Sequence, residues 1–164
     1  NELALALLDE RAGELEAAVR AALATTGTNK ERVFATVAAY FEFVAREGQA
    51  FRILFESDLI NEQNVARRIE GAFTRCGEAF ADAIAADTEM SRADAMVLAM
   101  SLTGMAQMSA RNWVTLGATV GQEEAARLVG QLAWRGLGGF PRSRPATATE
   151  PVDSGGAGES PTPA

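Results

Sequence analysis

Few residues in this chain are equipped for chemistry. Glu56, Asp58 and Glu62 place three carboxylates near one helix junction, the oxygen donors that a hard cation prefers. They come without histidine or a ligand loop, and a solvated acidic turn accounts for them. Cys76 is the single cysteine, so an intrachain disulfide is excluded and a free thiol fits a reducing compartment. It lies on an apolar helical stripe with no histidine anywhere to activate it, which reads as a small buried hydrophobe. The lack of histidine removes the commonest general base and metal ligand. The Glu-x-x-His spacing of di-iron bundles and a glycine-rich phosphate loop are missing as well. No catalytic residue, metal ligand or cofactor is assigned, and an enzyme is not expected.

What remains is apolar recognition. Phe34, Tyr40, Phe41, Phe55, Phe73 and Phe80 come from three helices, and all five methionines lie between Met90 and Met108. Methionine adapts its shape to irregular ligands, and pockets between bundle helices are common. Tyr40 and Thr103 are the polar groups such a pocket would keep. Residues converging with almost no charge between them define a candidate ligand lining of Leu23, Tyr40, Phe41, Phe73, Phe80 and Met100. Ordinary core packing is the alternative for each.

These residues need helices to hold them. From Ala95 to Ala110 there is no charged residue, and a surface helix would show one polar face. This stretch must be covered on more than one side, yet it is too short and interrupted to span a bilayer. Ala125, Leu128, Val129, Leu132 and Ala133 form a wide arc on the next segment, with Trp134 beyond it. A second copy is the economical cover. Ser91–Leu137 therefore reads as a helical hairpin forming a four-helix homodimer interface, with Leu102, Trp113, Leu128, Leu132 and Trp134 as interface candidates.

Upstream, Leu8, Leu15, Val19 and Leu23 recur at helix spacing, and the helix starts at residue one without a cap, as if continued from a longer chain. Thr28 and Glu31 form a capping box for a helix whose inner stripe is Val33, Val37, Tyr40, Phe41 and Val44. Gly48 is expected to break it, leaving a short apolar helix over 49–57. Asn61 caps the next helix, with Ile69, Phe73, Cys76, Phe80 and Ile84 inward; Gly71 and Gly77 leave room there for a close neighbour or a ligand. The expectation is an all-α domain of six helices over 1–137. All five prolines lie after Phe140, which predicts a disordered tail over 138–164.

The chain's 164 residues suffice for one domain. No signal peptide or membrane segment is visible, so a cytoplasmic protein is expected.

The arrangement resembles the ligand-binding core of the tetracycline-repressor (TetR) family of transcriptional regulators. The likeness rests on the opening NELALALLDERAGELEAAVRAAL, on FEFVAREGQAFRILFESD, and on SARNWVTLG followed by LAWRGL. It covers roughly Asn1 to Pro141. Within the family the chain looks most like actinobacterial regulators of fatty acid synthesis that sense long-chain acyl-CoA. The resemblance implies a homodimer whose effector is a long-chain acyl-CoA or another hydrophobic molecule, with Leu23, Tyr40 and Phe80 at pocket positions. It also implies that operator DNA is read only through an N-terminal helix-turn-helix head, which these residues do not include. Two alternatives stand beside it: the core of a drug- or metabolite-responsive efflux repressor, and a dimeric helical lipid-binding or scaffold protein with no DNA role.

The net charge is −7, and no cluster of basic residues is dense enough for a phosphate-backbone footprint. In a gel-shift titration this chain alone is expected to give no sequence-specific shift at physiological salt; a persistent shift would contradict that expectation.

Overall fold

The computed structural model describes residues 2–56 and 63–136, without the side chains of residues 4 and 48–56. The expected tail, Asp58, Glu62, the Asn61 cap, and the side chains of Glu56 and Phe55 lie outside the described residues. There are five helices among those described: α1 (Glu2–Ala24), α2 (Asn29–Glu56), α3 (Gln63–Asp87), α4 (Arg92–Thr115) and α5 (Gln122–Arg135). The all-α class is as expected, but the helix count differs. α2 continues through Gly48 to Glu56, so the expected break and separate short helix are absent. One glycine costs a helix about 1 kcal/mol relative to alanine. Ala45, Arg46, Glu47 and Gln49 around it are good helix formers, and no proline interrupts them.

The helix starts are built as their sequences dictate. Thr28 Oγ1 accepts from the Glu31 N–H at 3.2 Å, while the Glu31 carboxylate accepts from the N–H groups of Gly27 and Thr28 at 2.8 and 3.2 Å. Those backbone donors hold the Glu31 carboxyl below its ordinary value. Ser91 caps α4 by accepting from the Asp94 N–H at 3.1 Å. Gly117, at φ 86°, and Ala118, at φ 48°, are both left-handed and turn the chain from α4 toward α5.

Cross-helix ion pairs give the directions. Arg11 with Glu47 and Arg46 with Glu14 make α1 and α2 antiparallel. Arg68 with Asp9 and Arg75 with Glu16 are each 59 positions apart, so α1 and α3 run parallel. α1 and α4 each pack against both α2 and α3, and α5 covers α2 and α4. Thus α2 and α3 form a diagonal, with α1 and α4 between them on either side. The space along that diagonal is the core, holding Val19, Val37, Tyr40, Phe41, Cys76, Phe80 and Leu102.

Two glycines set how closely the helices approach. A Cβ on Gly77 would collide with the Met100 thioether, so α4 lies directly on α3 there. A Cβ on Gly130 would stand 2.7 Å from the Phe34 ring, so α5 packs onto α2 through a missing side chain. Gly130→Val is accordingly expected to destabilise the fold by about 1–3 kcal/mol through overpacking. Gly13, in open space on α1, should behave oppositely, with Gly13→Ala gaining up to about 1 kcal/mol. Thermal denaturation of the two variants checks the pair.

Candidate functional site

The helix diagonal contains the residues most able to recognise a ligand. Tyr40 from α2 and Phe73 from α3 meet across it, their rings stacked with centroids 6.1 Å apart. Tyr40 is 1% exposed. Its hydroxyl has no hydrogen-bond partner; the Cys76 thiol stands near it without completing a bond. Burial pushes both groups up from their ordinary values, so each stays protonated and neutral.

Thr36 lies one turn before Tyr40 on the same face of α2, and its buried hydroxyl is likewise unpartnered. Thr103 is not: its hydroxyl donates to the Ala99 carbonyl at 2.6 Å. An unsatisfied buried polar group costs about 1–3 kcal/mol. Two of them stacked in an apolar core mark a place where a further polar group would be welcome.

Two cavities flank this point. A small one, about 20 Å³, is lined by Leu15, Tyr40, Phe43, Val44, Phe73, Gln107 and Arg111. It is about large enough for one water. A larger apolar opening of about 380 Å³ lies toward the other end of α3, where Val33, Phe80, Ile84, Met90, Leu98, Leu102, Met105 and Trp134 line it, with Asn29, Thr88 and Ser101 among the polar residues.

The expected lining is therefore divided. Tyr40 and Phe73 share the small cavity, and Phe80 lines the large one. Phe41 is buried against Trp113 at 5.7 Å between ring centroids, while Leu23 packs at the edge of the core and Met100 lies on Gly77, and neither lines either cavity. Met90, Met105 and Ile84 were not among the candidates. The methionine cluster pointed toward them, but only the helix packing separates those facing the opening from Met100, which caps Gly77.

The interface candidates divide too. Leu102 lies in the chain's own core. Trp113 packs on Phe41 and donates its indole N–H to the Val120 carbonyl at 2.7 Å. Leu132 is half-buried, whereas Leu128 and Trp134 are exposed. Val97, Leu98 and Met108 of α4 are exposed beside them, at 66%, 50% and 52%. Val97, Ser101, Gly104 and Met108 follow helical spacing along the outer side of α4. That phase was readable in the sequence, but nothing there distinguished it from the inward arc of Ala95, Ala99, Leu102 and Ala106.

Among the described residues, no cluster of acidic or cysteine side chains is arranged to hold a metal ion, and no helix is long and apolar enough to cross a membrane.

No family model matches the chain. Over 143 residues it is 34% identical to the HTH-type transcriptional activator FasR of Mycolicibacterium smegmatis. The match takes in 87% of this chain and 65% of that protein, so the chain spans just under two thirds of its relative's length. The kinship bears out the resemblance to a transcriptional regulator.

Tyr40→Phe removes an unpartnered hydroxyl while keeping the ring stack. It is expected to leave the melting temperature unchanged or raise it slightly; a clear fall would reveal a hydrogen bond of that hydroxyl.

Proposed function

We propose that this relative of a helix-turn-helix-type activator is the effector-binding and dimerisation core of a transcriptional regulator. Its effector in this reading is a long-chain acyl-CoA, and its target is lipid-metabolism genes. The observation that carries the reading is the apolar opening of about 380 Å³ beside Phe80, at the end of an aromatic-lined diagonal. From Phe73 to Thr88 the diagonal follows fifteen residues of α3 and its end, roughly 22 Å of length at helical rise. An acyl chain lying along it would pass Phe80 and separate the Tyr40–Phe73 stack.

Widening this space moves α1, because α1 packs on both α2 and α3. Regulation then follows from linkage. An effector that favours one pose of α1 changes operator affinity, and operator binding changes effector affinity by the same factor. DNA contact would belong to the part of the regulator that the relative's greater length accommodates. The sign of control is taken to be activation, as for the relative, and the site of action the cytoplasm.

The exposed stripe of Val97, Leu98, Met108, Leu128 and Trp134 supports the homodimer. Solvent-facing apolar residues along two neighbouring helices gain most from a second copy. Because Leu128 is already exposed in the single chain, Leu128→Asp should leave the monomer fold intact and abolish the dimer. Light scattering at micromolar concentration reads this out, and a monomeric parent would refute the dimer.

Calorimetry tests the effector. Each methylene buried contributes about 0.8 kcal/mol gross, so affinity should rise with acyl length until the space ends. Phe80→Trp should fill the opening, block binding and change stability little. Destabilisation of about 1–3 kcal/mol by that substitution, with no heat from any acyl-CoA and the parent, would mean a packed core instead.

A further inference from the structure

Helical hydroxyls in this fold commonly turn back onto their own chain. Thr25, Thr26, Thr88, Ser101, Thr103 and Thr115 each donate to a carbonyl about one turn earlier. Thr36 does not: it is buried, and its hydroxyl has no partner. Among the described residues, the buried side-chain atoms without a hydrogen bond are Arg32 Nε, Thr36 Oγ1 and Tyr40 Oη. They recur at every fourth residue, so they follow one side of α2. Arg32 ends the row beside Asp87, where its guanidinium is already held by that carboxylate and by Asn29. Thr36 and Tyr40 are left in the interior, each 1% exposed.

Their place in the diagonal is defined from both walls. Around α2, Thr36 falls inside the arc from Val33, which lines the large opening, to Phe43, which lines the small cavity. Along the axis it lies between those two as well. α2 and α3 run antiparallel, because α1 opposes the first and parallels the second. The Tyr40 ring stacks on Phe73, and its hydroxyl lies near Cys76, about one turn further toward Phe80. Helical side chains lean toward the helix N-terminus, which carries the Tyr40 hydroxyl toward the Thr36 turn. Both hydroxyls therefore fall between the small cavity and the large opening.

We propose that this pair selects an effector whose acyl chain carries a hydroxyl group partway along its length, and that this group bonds both Thr36 and Tyr40. The chain-like form of the ligand rests on the acyl-CoA reading above; its oxygen rests on the two protein hydroxyls. A plain chain offers them no partner and expels any water that would serve. An alcohol donates one hydrogen bond and accepts another, so a single group satisfies both residues and itself. The sign of the effect distinguishes the site. In a wholly apolar tunnel an added hydroxyl weakens binding wherever it is buried. Here it strengthens binding at one depth.

Calorimetry of the full chain with four thioesters tests this: stearoyl-CoA, and hydroxystearoyl-CoA with its hydroxyl near the thioester, at mid-chain or near the methyl end. The mid-chain isomer is expected to be the tightest of the four, about tenfold tighter than stearoyl-CoA. Thr36→Val with Tyr40→Phe keeps the side-chain shapes, and on that variant the mid-chain isomer should fall to the affinity of stearoyl-CoA or below. Stearoyl-CoA binding the parent as tightly as the mid-chain isomer, or a preference that the double variant retains, overturns the hydroxyl site and leaves the hydrophobic-effector reading intact. If the parent binds none of the four, that reading and this proposal fall together. Should the double variant not fold, the order of the four ligands on the parent decides.

Discussion

Everything in this fold depends on α2 and α3 being held apart across a diagonal. α1 and α4 fill the two sides, and neither can leave without exposing Val19, Val37 or the alanines of α4. The interior they enclose must be filled by long side chains reaching from opposite walls. Tyr40 and Phe73 meet there in a stack, with Cys76 and Phe80 behind them. A core closed by two stacked rings is easier to open than one closed by interlocked backbones, because rings can separate by changing rotamer.

The same geometry explains why small residues are placed where they are. α4 presents Ala95, Ala99, Thr103, Ala106 and Ala110 inward, which brings its backbone close to its neighbours. Gly77 receives Met100, and Gly130 receives Phe34. Close approach on the inner side leaves Val97, Leu98 and Met108 outside, since a helix nearly free of charge has apolar residues in every direction. The tight core and the sticky outer face are two consequences of one composition.

Electrostatics works on the outer seams instead. Of the ion pairs that tie α1 to α2 and α3, Arg46–Glu14 and Arg68–Asp9 are exposed on both sides and contribute little stability each, while Glu47 and Glu16 are more sheltered. The exposed pairs set register and are readily exchanged for other charges. The hold on α1 comes instead from its buried face, where Leu15 and Val19 pack between α2 and α3.

The all-α class was legible in the sequence because helical periodicity, the Thr28–Glu31 box and the Ser91 cap are local signals, each settled within a turn of chain. Kinship with a transcriptional regulator was legible as well, from stretches of the first two and the last two helices. So was the inward direction of Tyr40, Phe41 and Phe80, which follows from stripe phase alone. The continuity of α2 through Gly48 was not, because a glycine's helix cost is small enough for its neighbours to override. The tertiary structure alone decided that Tyr40 and Phe73 share one cavity while Phe80 lines another, and that Leu102 and Trp113 serve the chain's own core. It alone gathered Arg68 and Arg75 against α1, 59 positions from their partners. These are distances between helices, and a pattern read along one helix carries no information about which neighbour stands across from it.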